Sequence, residues 1–294
     1  MANPLIPTQT GDVINVPALL NSPARLTDLI AKLTAERLLL DKFFTTGGVV
    51  AGGGVLHTVL TSANQYLAGN PEERSPGAEY VILRGDELRE LATVQDWGAK
   101  VELLDEEELR NDSVSLANKL IQLANSIARK LDQAALAAIE ASLTRNSVAS
   151  VSGHSWSSLV TVGDPATLTA SALLPTADFA NTQLAADLED VGVTFDTLVL
   201  HPNQHAALKI AYADKLAAVL ASAGLTVFSS NLVTAGTAYA VQKGQAGKVA
   251  FETPLKVETI DKRENRLKWL QSYVTPAFAV SRPGAVRKIT GLAG

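Results

Sequence analysis

The sequence predicts an elongated α+β protein organised around one long helix, on three observations. The stretch DSVSLANKLIQLANSIARKLDQAALAAIEASL, residues 112–143, runs without Gly or Pro. At 1.5 Å per residue it spans roughly 45 Å, longer than globular helices usually run. Before it, residues 1–84 hold an arm and an apolar ribbon with no core of their own. After it, helices and strands alternate over about 150–250 and strand-like segments resume beyond. That lobe therefore reads as an α/β insertion into a sheet lying beside the helix.

Taken in order, residues 1–24 carry four prolines and no helical period, which predicts an extended arm. A short helix is expected from Arg25 to about Lys42, with Leu26, Leu29, Ile30, Leu33, Leu38 and Leu39 on its apolar side. TTGGVVAGGGVLHTVL, the polar tip SANQYLAGNPEERSPG and AEYVILRG then predict a long two-stranded excursion. Its Val/Leu/Ile runs are short and separated by Asn-Pro and Ser-Pro-Gly turn chemistry. A lone ribbon is marginal in water, so it must cover a site or lie across a neighbouring molecule. Glycines 47, 48, 52, 53 and 54 suit a hinge at its base.

Residues 88–111 alternate around Trp97-Gly98 and then turn acidic, a charge that favours the start of a helix through its dipole. The acids of 102–108 are expected to pair with Lys262, Arg263, Arg266 and Lys268, within or between copies. In the long helix, Asp112 or Ser113 caps the start. Val114, Ala117, Ile121, Ala124, Ala128, Leu131, Ala135 and Ile139 recur at the spacing of one face. Leu116, Leu120, Leu123, Ile127 and Leu136 widen it into a wall too broad for a coiled-coil seam, and the charges opposite exclude a membrane span.

Residues 144–168 are small, polar and loop-like. A helix is expected over Thr176 to Val191, then a buried strand TFDTLVLHP stopped by Pro202. A second helix, NQHAALKIAYADKLAAVLAS, follows with Asn203 as its cap, and LTVFSSNLV, AYAVQKG and GKVAFE read as three short strands. The end of the chain predicts two antiparallel strands around an Asp-Lys-Arg-Glu-Asn turn and one final short strand. Strands near Val94–Leu104 and Leu255–Thr275 are expected to share one sheet beside the helix.

Composition narrows the function. With 294 residues, 47% hydrophobic and 19% charged, the chain can bury a large core and is not intrinsically disordered. A net charge of −5 argues against a nucleic-acid reader with a basic surface. The absence of cysteine excludes disulfides, thiolate chemistry and cysteine zinc sites. No basic-then-apolar leader opens the chain and no run of about 18 apolar residues occurs, so a protein made or assembled in the cytosol is expected.

No motif carries chemistry. His201 and His205 stand at i, i+4 in HPNQH, but Pro202 leaves His201 at a strand end and no third ligand is near. KGQAGKV approaches a phosphate loop, but Gln242 replaces its first glycine and Val249 its Ser/Thr. GGVVAGGG lacks the helix and the Lys-Ser/Thr that a phosphate cradle needs. G-x-S-x-G is absent and the four histidines suggest no triad, so catalytic, cofactor-binding and metal residues are expected to be none.

The order of parts resembles the major capsid protein of tailed bacteriophages, the Johnson fold. GAKVELLDEEELRNDSVSLANKLIQLANSIARKLDQAAL is similar to that family's peripheral strand running into its spine helix. TFDTLVLHPNQHAALK resembles a strand and helix of its axial domain, and GTAYAVQKGQAGKVAFETPLKVET and VTPAFAVSRPGAVRKITG resemble its closing strands. The resemblance implies an arm and short helix over 1–46 and an extended β-loop over 47–84. It further implies a peripheral domain of 85–149 and 251–294 with its spine, and an axial domain over 150–250. It implies a non-enzymatic, self-assembling subunit that forms pentamers and hexamers of an icosahedral shell enclosing phage double-stranded DNA, without sequence-specific binding.

Scaffold, portal and decoration proteins are the other partners so implied, with no membrane. The place is the virion, after assembly in the bacterial host cytoplasm. Covalent Lys–Asn links of the kind some relatives form from the loop are not expected, since no lysine lies between Phe43 and Ala99. The long N-terminal scaffolding segment of some relatives is missing as well, which implies a separate scaffold or processing upstream. An encapsulin-like nanocompartment holding an enzyme cargo is the alternative within the same fold. A third reading, from another class, is an α/β enzyme whose flap 47–84 closes over the inserted lobe.

Overall fold

The structure is a computed structural model, and it describes residue 20, residues 24–28 and residues 39–293. The arm over 1–19 and most of the expected helix from Arg25 to Lys42 lie outside the described residues. Of that helix, 24–28 and Leu40–Phe43 are helical.

The spine helix Ser113–Arg145 holds 33 residues and starts from Asp112, whose side chain accepts from Ser115 N at 3.0 Å. It is shared between two cores. Its first half sets Leu116, Leu120, Leu123, Ile127 and Leu131 against Leu103, Val257, Leu270 and Val274 of a four-stranded sheet. Its second half sets Ala135, Leu136, Ile139 and Leu143 against Val199, Tyr239, Val241 and Val286 of a five-stranded sheet. The buried face is narrower than the sequence pattern predicts. Val114 is 70% exposed and Ile121 is also exposed, because both point away from the sheet on which Leu116 and Leu120 lie.

The four-stranded sheet runs in the order β1 (Phe44–Val49), β9 (Gly247–Lys262), β10 (Leu267–Ala279), β4 (Trp97–Leu104). β10 pairs antiparallel with both β4 and β9, so the strands before and after the lobe do meet in one sheet. β1 joins β9 in parallel, a pairing the sequence reading does not contain. GKVAFE is likewise not a separate strand of the lobe but the start of the 16-residue β9. Pro254 and Pro276, which lack an amide proton to give to a ladder, sit where the β9–β10 register slips.

The five-stranded sheet runs β5 (Val151–Ser152), β11 (Val286–Thr290), β8 (Ala238–Val241), β6 (Thr197–Leu200), β7 (Thr226–Ser229). Both faces are covered. The spine packs on one, and the helices Pro175–Leu188, Pro202–Tyr212 and Leu216–Ser222 lie over the other through Phe179, Leu208 and Leu216. That explains why β6 and β8 are buried at every position. The final strand β11 belongs here and not with β9 and β10. Val286 and Ile289 face opposite cores, and only a sheet covered on both sides can bury them together.

The ribbon also differs from expectation. β2 (Gly54–Val59) pairs antiparallel with β3 (Leu88–Thr93) at its base, whereas AEYVILRG forms no strand beyond one isolated bridge between Ala68 and Arg84. TTGGVVAGGGVLHTVL thus divides between two sheets, turning at Gly52 and Gly53, whose φ values of +91° and +80° favour glycine. The helix after β6 is capped by His201 rather than Asn203, with His201 Nδ1 accepting from Asn203 N at 3.1 Å. Pro202 then fills the first helical position, where no amide proton is needed.

Candidate functional site

The histidine pair of HPNQH divides between a helix cap and a helix face. His201 is a helix cap, and burial followed by the charge of Lys209 holds His205 below the usual histidine range. No group of three or more potential metal ligands occurs among the described residues. One histidine does face a carboxylate: His154 Nδ1 lies 2.7 Å from Asp178 Oδ1. The other oxygen of buried Asp178 accepts from Trp156 Nε1 at 2.8 Å and His154 N at 3.1 Å. The neighbouring Ser155 and Ser157 bond to each other at 2.9 Å. The cluster ties the loop after β5 to the helix Pro175–Leu188, a tie the sequence reading misses.

What the fold offers instead is a set of limbs and joints. Residues 60–87, between β2 and β3, are almost wholly exposed, with Tyr80 at 74% and Ile82 at 85%. Large apolar side chains held in water on an extended segment mark a contact surface awaiting a partner. The segment leaves the body where Leu60 N donates to Ser281 O at 2.8 Å, and touches the lobe where Tyr66 Oη donates to Asp190 Oδ2 at 2.8 Å. By contrast, the described residues before β1 lie on their own body. Leu20 and Leu26 join the core under the four-stranded sheet, and Val257 N donates to Thr27 Oγ1 at 3.2 Å.

The acidic segment pairs within the subunit. Lys268 meets Glu108 at 2.6 Å, Arg263 meets Asp105 at 3.5 Å and Arg266 meets Glu106 at 3.8 Å. Glu107 turns inward instead, accepting from Lys119 at 2.6 Å, Ser115 Oγ at 2.9 Å and Leu104 N at 3.0 Å. Burial pushes its carboxyl up, but those three donors outweigh burial and hold it below the usual range.

Three charged residues, two of them buried, fasten the spine and the lobe. Glu140 accepts from Tyr239 Oη at 2.6 Å and from Lys288 Nζ at 2.7 Å, joining the spine to β8 and β11. Burial raises the Tyr239 phenol, and Glu140 raises it further. Asp132, 5% exposed, accepts from Leu40 N at 3.0 Å and anchors the turn that leads into β1. Burial lifts its pKa to about 6 against the two backbone donors Leu39 and Leu40, and nearby Asp41 lifts it too. Arg287 is fully buried, giving 3.0 Å and 2.6 Å bonds to Glu189 and a 3.0 Å bond to Ala149 O.

Comparison with known proteins gives this arrangement a context. No curated protein sequence matches the chain. Among solved structures, it is similar to the capsid of the cyanophage P-SCSP1u, with a TM-score of 0.61 and 14% identity over 87% of this chain and 89% of that one. It is also similar to the capsid of Myoviridae phage XM1, at TM-score 0.57 and 16% identity over 86% and 91% of the two chains. A virus-like particle from Pyrococcus furiosus gives TM-score 0.58 at 14% identity over 90% and 97%. At such identities these likenesses establish the fold. The sequence profile of the phage capsid protein family matches residues 86–289, from the base of the ribbon to β11. The chain belongs to the phage capsid protein family and is a structural, non-enzymatic protein of a bacteriophage capsid.

Proposed function

We propose that the chain is the major subunit of an icosahedral shell that encloses phage double-stranded DNA. Pentamers and hexamers form around the lobe 150–250, and the extended loop 47–84 lies across a neighbouring copy. The spine with the 85–149 segment and the strands β9 and β10 makes the body of the wall, while β11 completes the sheet of the lobe. The observation that carries this reading is the exposed apolar limb at 60–87, which has no core in its own subunit. Packaged DNA is held without wrapping, since a chain of net charge −5 has little counterion release to gain from phosphates. Assembly takes place in the host cytoplasm with a scaffold and a portal, and decoration proteins add to the finished shell. Electron microscopy of the protein expressed with its scaffold tests the proposal. Closed shells or ring-shaped capsomers are expected, and a strictly monomeric species under assembly conditions refutes it.

The likeness to the Pyrococcus furiosus particle supports a second reading, an encapsulin-like compartment holding an enzyme cargo. Particle contents separate the two. Nuclease-protected duplex DNA supports the phage shell, and a co-purifying folded enzyme supports the compartment.

A further inference from the structure

The limb 60–87 is tied at its root through three corners that form a closed circuit. At the first, Leu60 N donates to Ser281 O at 2.8 Å, and His57 Nε2 lies 3.2 Å from Val280 O just before it. Ser281 belongs to the connector 280–285, which runs from β10 of the body to β11 of the lobe sheet. At the second corner, Arg282 Nη2 donates to Val191 O at 3.2 Å, while its backbone N donates to Ala246 O at 2.9 Å. At the third, Tyr66 Oη reaches Asp190 Oδ2 at 2.8 Å and Asp190 O at 3.1 Å. Asp190 and Val191 are adjacent, so the limb and the connector grip the same turn of the lobe.

That turn has an unusual backbone. Asp190 stands at φ +53°, a left-handed conformation uncommon outside glycine, in which aspartate and asparagine are enriched. The hydrogen bond to Asp190 holds the Tyr66 phenol above its ordinary range, so the hydroxyl keeps its proton to donate. Beyond Tyr66 the grip passes to both arms of the limb. Ala68 N donates to Arg84 O at 2.7 Å, and Gly85 makes room for Leu67, whose Cδ2 would lie 2.7 Å from a Cβ there. Further out, Arg74 Nη1 donates to Ala78 O at 2.8 Å and its guanidinium lies 4.9 Å from the centre of the Tyr80 ring.

We infer that the lobe aims the limb, with Tyr66 and Asp190 forming a strut that fixes the direction in which residues 80–82 leave the subunit. His57 and Leu60 hold the root along one line, about which the limb would swing. A third point of attachment, away from that line, removes the swing. The strut is a property of the free subunit, and its use rests on the shell reading. A limb aimed beforehand has less freedom to lose when it lands on a neighbouring copy, and a lobe that turns carries the limb with it.

The cysteine-free chain makes the test direct. Ile82→Cys on the limb and Ile210→Cys on the lobe, 85% and 83% exposed, take spin labels in unassembled full-length subunits. Pulsed electron paramagnetic resonance should find one narrow limb–lobe separation. Tyr66→Phe removes only the hydroxyl of an exposed side chain. It should lose the narrow separation and give a broad distribution, with circular dichroism and the thermal midpoint unchanged. A separation already broad with Tyr66 in place overturns the strut, and so does one that stays narrow in Tyr66→Phe. Particle formation by the unlabelled parent decides the shell reading separately. A parent that forms no particles but shows the narrow separation keeps the strut and loses the shell.

Discussion

Replacing Asp132 by Asn probes how the spine holds the chain that leads into β1. The carboxylate is buried, and its pKa rises from 3.8 in the unfolded chain to about 6 in the fold. A raised pKa means that the folded state holds the proton more tightly. The stabilisation is fully present below pH 3.8 and is lost as pH rises through about 6. The whole effect is about 3 kcal/mol, at 1.36 kcal/mol per unit, and about 2 kcal/mol of it falls between roughly pH 4.5 and 7.5. Asp132→Asn keeps an oxygen to accept from Leu40 N and removes the titration. Urea unfolding of unassembled subunits, followed by tryptophan fluorescence at several pH values, gives the difference between parent and variant. That difference should change by about 2 kcal/mol across this range, with Asn gaining on Asp as pH rises. Glu140 and Glu107, whose pKa values are lowered, titrate in both proteins and cancel. A difference that is flat with pH, or one of opposite slope, refutes the buried-carboxylate reasoning.

Three further outcomes follow from the same packing. Gly247→Ala should cost more than about 2 kcal/mol or block folding, because a Cβ there overlaps the Ala279 carbonyl oxygen, whereas Gly52→Ala meets no atom and should cost about 1 kcal/mol through its positive φ alone. Thermal melts rank the two. Glu189→Gln leaves the buried Arg287 charge poorly paired and should lose about 2–3 kcal/mol, while the double change Arg287→Met with Glu189→Leu should recover most of it. Equal losses for the single and double changes would contradict that. Lys268→Ala removes a largely buried ion pair and should cost about 1–2 kcal/mol, but Arg266→Ala removes an exposed one at 3.8 Å and should cost under about 0.5 kcal/mol. Urea unfolding at low and high salt should show salt sensitivity in the subunit itself, since these pairs lie within one chain.

Much of the fold is legible in local pattern. The spine announces itself by a long apolar face, and β6 by three apolar residues, Leu198 to Leu200, shortly before a proline. The meeting of β4 with β10 is legible because both alternate and flank the inserted lobe. What stays hidden is long-range pairing. β1 reaches β9 across about two hundred residues, and β11 chooses the lobe sheet over the nearer β10 partner strand. Neither choice has a signature in a strand of five or six residues, because partner selection depends on which faces are covered. AEYVILRG misleads for the opposite reason: its β-forming residues have no strand to pair with in their own subunit beyond one bridge.

The buried charges had a faint signal. Asp132 stands on the apolar stripe between Leu131 and Ala135, and Arg287 follows Val286 in the closing strand, positions where a buried charge needs a fixed partner. The exposed limb is the clearest functional sign, since Tyr80, Val81 and Ile82 are a strand's residues left in water.

Hydrogen–deuterium exchange across 60–87, in free subunits and in assembled particles, tests most directly whether this limb finds its burial on a neighbouring copy. Exchange near the rate of an unfolded peptide in the subunit should slow by at least tenfold in the particle. Equal exchange in both states would mean that the limb stays in water and that something else holds the wall together.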